Sequence, residues 1–262
     1  MASKQRKLDI ACVSVSETGH VRKDNQDSFF VDAEKTVFCV ADGMGGGAEG
    51  ATASRFVCEA ISKVARTDGL KSRKQVVNAA IAIANQRIYT YSQSKHYDQM
   101  GSTLVVLLLE PSEPKKAMIC HIGDSRIYRI RRGSAELLTK DHTIGGLLGD
   151  LMTGTRAIGF KSRANPLAHV LTRAIGVEDT VAGEWRTVDV EAGDRFLLCS
   201  DGVHDVIPDS LIGEIFTMSD NLNAASKRLS ETVVLRGSPD NYTYLMVEVG
   251  AAMRAKKVDS GR

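Results

Sequence analysis

Val37-Phe38-Cys39-Val40-Ala41-Asp42-Gly43-Met44-Gly45-Gly46-Gly47-Ala48 is the stretch on which the fold turns. Its first five residues are apolar on both faces, which predicts a strand buried inside a core. Asp42-Gly43 breaks the run, and the glycines lead the chain into a different period. Over 48–66, Ala51, Ala53, Phe56, Val57, Ala60 and Ile61 recur at helical spacing. Asp68-Gly69 ends that helix. A second helix is predicted over 72–94, with Val76, Val77, Ala80, Ile81, Ala84, Ile88 and Tyr91 along one side. Both are amphipathic, so each should cover a sheet face.

Outward from this junction, strands are predicted over 8–16 and 27–31 before it. After it they fall at 102–109, 116–122, 126–131 and 136–138, with turns at 111–114 and 132–134. Residues 141–168 read as a long irregular segment rich in Gly and Thr, a length more often functional than idle. Strands resume at 180–188 and 195–200. Helices follow at 210–217 and 223–236, and a strand at 242–249 closes the chain. Hairpin links dominate and strict βαβ alternation is missing. The expected class is α+β, an α-β-β-α sandwich of two mainly antiparallel sheets covered by helical pairs. No repeat or linker divides residues 1–262, so one domain is expected, with its core at about 8–249.

Composition narrows the function. The chain has 262 residues, 43% hydrophobic and 25% charged, with a net charge of +2 and one Trp. That balance gives no case for nucleic acid. No run approaches the ~20 apolar residues of a membrane span, and no signal-type apolar region follows Met1. The five cysteines are scattered singly in apolar segments with no Cys-x-x-Cys pair. They read as buried small hydrophobes in a reducing, cytoplasmic setting. Basic residues at both ends (Lys4, Arg6, Lys7; Arg254, Lys256, Lys257) read as solvated tails.

Four segments deliver an aspartate at a sharp break: Asp42, Asp124 after 118–122, Asp201 after 196–200, and Asp240 after Gly237-Ser238-Pro239. A lone Asp-Gly is more often a tight turn. Four such residues at the rim of one core suggest a convergent acidic site, which a cation must neutralise. Hard oxygen ligands suit Mg²⁺ or Mn²⁺ rather than zinc.

The chain resembles the metal-dependent protein phosphatases of the PPM family, the protein phosphatase 2C type, and within it the bacterial branch. The resemblance rests on 19–27 (Gly-His-Val-Arg-Lys-Asp-Asn-Gln-Asp), 41–46 (Ala-Asp-Gly-Met-Gly-Gly), Gly101-Ser102-Thr103, Gly123-Asp124-Ser125-Arg126, 171–176 (Leu-Thr-Arg-Ala-Ile-Gly), Ser200-Asp201-Gly202 and 240–243 (Asp-Asn-Tyr-Thr), in family order. It implies hydrolysis of phosphoserine and phosphothreonine by direct attack of a metal-activated water. Two core Mn²⁺ or Mg²⁺ ions are implied, with a third possible.

By the same resemblance, Asp42 bridges the two ions and Gly43 turns its carbonyl toward the second. Asp201 and Asp240 complete the first site, and Asp27 acts through bound water. Asp124 holds the third ion, and Arg22 binds phosphate. Asp42, Asp201 and Arg22 form the catalytic set. Gln26 stands where many relatives have Glu; it can still hydrogen-bond a metal water, with a weaker negative field at the second site. Met44 stands where many eukaryotic relatives have a histidine proposed as the general acid, which leaves metal-bound water first, then His121, His142 or His204, as donor. Residues 143–165 correspond to a flap, here glycine-rich and basic through Arg156, Lys161 and Arg163, which would favour acidic phosphoproteins. The implied partners are phosphorylated proteins and a cognate Ser/Thr kinase with its substrates. A monomer is expected. Two rivals are a non-catalytic regulator of the same fold and a phospho-accepting receiver domain, which needs repeated βα order.

Overall fold

A computed structural model of the chain describes residues 9–34, 36–65, 72–97, 99–110, 115–151 and 166–250. The strands are β1 (Ile10–Glu17), β2 (Asp27–Asp32), β3 (Val37–Met44), β4 (Gly101–Ser102), β5 (Leu104–Leu109), β6 (Lys116–Ile122), β7 (Arg126–Arg131), β8 (Ser134–Leu137), β9 (Glu184–Asp189), β10 (Arg195–Cys199) and β11 (Tyr242–Val249). The helices are α1 (Gly47–Ala65), α2 (Arg73–Lys95), α3 (Ile144–Leu151), α4 (Asp201–His204), α5 (Asp209–Thr217) and α6 (Leu222–Leu235), with a 3-10 turn at Pro166–His169.

One sheet runs β1-β11-β10-β7-β8 and the other β2-β3-β5-β6-β9. The strand pairs are antiparallel, which excludes the receiver layout. Side-chain alternation then sorts each strand into two layers. Phe38, Val40, Val105, Leu107, Phe196, Leu198, Leu245 and Val247 meet between the sheets. The intervening Val37, Cys39, Ala41, Val106 and Leu108 face outward onto Ala53, Phe56, Val57, Ile81 and Ile88 of α1 and α2. On the far side Tyr128, Leu197, Cys199 and Met246 pack on Ile212, Phe216, Ala225 and Leu229 of α5 and α6. The central strands are apolar throughout because both of their faces are covered.

Several expectations need correction. Asp42-Gly43 does not end β3, which continues and pairs Gly43 with Ser102 and Met44 with Gly101. The irregular segment 141–168 contains α3, whose Gly145 and Gly146 hid its helical period, and the 3-10 turn. Its remainder, 152–165, which holds most of the flap, lies outside the described residues, as do 111–114, Asp68-Gly69 and both basic ends. The strand expected from 180 starts only at Glu184. Just before it, Gly183 passes so close to β6 that a Cβ there would stand 2.4 Å from Cys120 Sγ. Cys39, Cys58, Cys120 and Cys199 are buried as expected, but Cys12 is exposed.

Phe38 is fully buried between the sheets. Phe38→Ala should cost about 3–5 kcal/mol, read as a lower urea midpoint at unchanged slope.

Candidate metal centre

The acidic site starts from an in-register pair. Asp27 of β2 lies directly opposite Asp42 of β3, where like charges oppose strand pairing. Backbone bonds hold Asp42 in place: its N–H donates to Thr103 Oγ1 (3.0 Å), and its carbonyl accepts from Ser102 Oγ (3.0 Å) and the Thr103 N–H (2.8 Å). Gly101-Ser102-Thr103 is thus the cradle of Asp42. Asp27 Oδ2 accepts from Ser200 Oγ at 2.7 Å, while its Oδ1 is buried with no hydrogen-bond partner. An unpartnered buried oxygen of this kind is costly, and a cation would satisfy it.

The other sheet brings Asp201 and Asp240. Asp201 opens α4, the short helix that follows β10. Gly202 lets that helix lie against the chain before β11, since a Cβ there would stand 1.9 Å from the Asn241 carbonyl. Asp240 Oδ2 accepts from Arg22 Nη2 at 2.6 Å. Asn241 then ties down the loop that carries Arg22. Its Nδ2 donates to the Thr18 and Asp24 carbonyls (2.7 and 2.9 Å), and its Oδ1 accepts the Gln26 N–H (2.9 Å). Asp124 follows β6 in a tight turn, is buried, and offers its backbone carbonyl to His204 Nε2 at 3.1 Å.

The electrostatics shows that these five carboxylates share one field. Burial, and then Asp27, Asp201, Asp124 and Asp240, push the Asp42 carboxyl well above the usual range. Burial, and then Asp124, Asp205, Asp240 and Asp27, do the same for Asp201. Burial first raises both Asp27 and Asp124 to about 6. Arg22 faces the same group: its hydrogen bond to Asp240, with the fields of Asp201 and Asp42, raises its own pKa. Such mutual repulsion, an orphaned oxygen and an all-oxygen donor set fit divalent Mn²⁺ or Mg²⁺. Among the described residues, ligand atoms of three groups close to within 4.8 Å only at His121, His142 and Glu184.

Other readings change. Gly43 is required first by packing: a Cβ there would stand 1.9 Å from the Gly50 carbonyl of α1. The Gln26 amide, oriented to satisfy its neighbours, spans the Gly43 carbonyl (3.1 Å) and the Gly47 N–H (3.2 Å). In that orientation it braces the turn from β3 into α1. Asp205 was missed. It caps α4 one turn after Asp201, its N–H bonded to the Asp201 carbonyl at 2.8 Å, and that spacing of four was its sequence signal. A cleft of about 270 Å³ opens beside Asp124, with Arg126, Asp141, His169 and Asp205 in its wall.

A seam of aspartates between two antiparallel sheets, with an arginine beside it, defines a metal-dependent hydrolase of anionic esters. The chain belongs to the protein phosphatase 2C family, whose model matches residues 17–234. It is 31% identical over 241 residues to protein phosphatase PhpP of Streptococcus pneumoniae, covering 90% of this chain and 96% of that one. It is also 31% identical to serine/threonine protein phosphatase PstP of Mycobacterium tuberculosis, over 89% of this chain and 44% of that protein. The crystal structure of the PstP catalytic domain with two manganese ions superposes with a TM-score of 0.80 at 30% identity, covering 93% of this chain and all (100%) of that one.

Without metal, the raised carboxyl pKa values mean that the folded state binds more protons than the unfolded one. Asp27 and Asp124, shifted from 3.8 to about 6, therefore stabilise below pH ~4, and that contribution is lost as pH rises through ~6. The EDTA-treated protein should melt progressively lower from pH 5 to 8. Asp42→Asn should flatten that slope. Mn²⁺ at a hundredfold excess over its Kd should restore about 2.7 kcal/mol, or on the order of 5–10 °C in Tm.

Proposed function

We infer that the protein dephosphorylates phosphoserine and phosphothreonine in phosphoproteins, using Mn²⁺ or Mg²⁺. The observation that carries this reading is the five-aspartate seam, tied by Asp240 to Arg22. Asp27, Asp42, Asp201, Asp240 and the Gly43 carbonyl would hold the two core ions, and Asp124 a third. Ions bound there would acidify a water for in-line attack on phosphorus and offset phosphoryl charge.

The chain's own residues supply orientation. Arg22 offers a planar fork to two phosphoryl oxygens. Its ion pair with Asp240 is half exposed on the arginine side (51%), so it is weak and readily yields to a phosphate. Asn241 ties down the loop that carries Arg22. Proton supply to the departing serine or threonine falls to water. Met44 cannot donate, and His121, His142 and His204 are buried and engaged by Lys140, Gly123, Glu184 and Asp124.

We read residues 1–262 as one catalytic domain acting as a cytoplasmic monomer against a cognate Ser/Thr kinase. The basic segment with Arg156, Lys161 and Arg163 would favour acidic phosphoprotein surfaces. The intact carboxylate set speaks against a regulator without turnover.

The test is hydrolysis of a phosphothreonine peptide. Turnover should require Mn²⁺ and vanish with EDTA or Asp201→Asn. Arg22→Ala should lower kcat/KM about 10²-fold, the usual size for losing one donor to developing charge. A folded, Mn²⁺-loaded protein with no turnover would establish the regulator instead.

A further inference from the structure

The histidine pair behind Asp124 is not used by this chemistry. His121 of β6 and His142, which precedes α3, stack with ring centroids 4.6 Å apart and planes 13° from parallel. His121 Nε2 lies 2.8 Å from the Lys140 carbonyl. His142 Nδ1 accepts the Gly123 N–H at 3.1 Å. A neutral imidazole that accepts at one nitrogen carries its proton on the other. His142 Nε2–H therefore faces Glu184 Oε2 at 3.2 Å, with Arg173 Nη1 3.3 Å away. The backbone adds a second grip, because the His142 N–H donates to the Gly123 carbonyl at 2.9 Å. One residue thus holds both polar groups of Gly123, and the next residue is Asp124.

His121, His142 and Glu184 have the residue types of a zinc site. The tautomer argues otherwise. While Nδ1 accepts from Gly123, the Nε2 lone pair is not available to an ion, and Arg173 places a cation beside it. The same contacts make a good clamp.

We propose that His142 is a positioning residue that grips Gly123 and so aims the Asp124 carboxylate, with Glu184 fixing its tautomer. This rests on the reading of Asp124 as ligand of a third, weaker ion. Histidine at this place serves the ion site through the backbone of Gly123, without touching the ion.

The experiment counts bound Mn²⁺ by the EPR signal of the free ion in wild type, Asp124→Asn, His142→Ala, His142→Asn and His142→Gln. An Asn side-chain oxygen can stand where Nδ1 stands and accept from Gly123; a Gln amide reaches toward the Nε2 position instead. Asp124→Asn should remove the weakest binding step. His142→Ala should weaken that step about 10–100-fold, the usual effect of an outer-shell partner, and leave the tighter steps unchanged. His142→Asn should recover most of the loss and His142→Gln should not. If Asp124→Asn leaves all steps intact, the reading of Asp124 fails. If Asp124→Asn removes the weak step but His142→Ala spares it, or Asn and Gln behave alike, the clamp is overturned. Should His142→Ala not fold, the Asn–Gln comparison decides alone. Zn²⁺ added to wild type and to Glu184→Gln completes the set: binding that depends on Glu184 would also overturn the clamp.

Discussion

Mutual repulsion among carboxylates is the constraint around which this molecule is arranged. Asp27 and Asp42 oppose each other across a strand pair, and Asp201 and Asp240 add to the field from the second sheet. No hydrophobic core relieves that cost. What the core supplies is rigidity. Strands apolar on both faces are clamped between helices and the opposite sheet, so the acids at their ends cannot drift apart. Neutral side chains do the fine placement. Ser102 and Thr103 hold the backbone of Asp42, Ser200 meets Asp27, and Asn241 secures the Arg22 loop. The metal-free fold carries the cost of the crowded charge, and cations held there would relieve it.

The sandwich was legible in the sequence because its central strands are covered twice. A doubly buried strand is a continuous apolar run, and such runs marked β3, β5, β6, β10 and β11 closely. The outer elements gave weaker signals. α3 carries three glycines in eight residues, so local propensity hid a helix that tertiary packing stabilises. The beginning of β9 was misplaced because residues 180–183 look extended but follow a tight approach to Cys120.

The site was legible to a different degree. Asp42, Asp124, Asp201 and Asp240 stand out from sequence because each follows an apolar or turn-marked segment, and the structure brings them into one field. Their supports stood out only as members of the quoted motifs, with no role assigned to them. Ser200, Thr103 and Asn241 are common polar residues whose importance lies in partners up to 223 positions away. Gln26 has a backbone role that its sequence place did not suggest. Its place beside Asp27 suggested a role toward the ions, whereas its amide is taken up by the backbone of the β3–α1 turn. Gly43 has a backbone reason for being glycine that sequence could not show, namely the approach of Gly50.

Among the described residues, the bonds that join the sheets at the acidic seam include Ser200 Oγ to Asp27, Asn25 Nδ2 to Ser16 Oγ, and the Gln26 N–H to Asn241. Apolar contacts between sheets hold the layers together but are non-directional. Directional bonds have a single correct offset. The acidic end therefore shares the alignment of the two sheets with the β7–β9 side, where Arg129 and Arg131 donate to the Asp189 carbonyl. Loosening Ser200 or Asn241 would be felt in the fit between the layers as well as at Asp27 and the Arg22 loop.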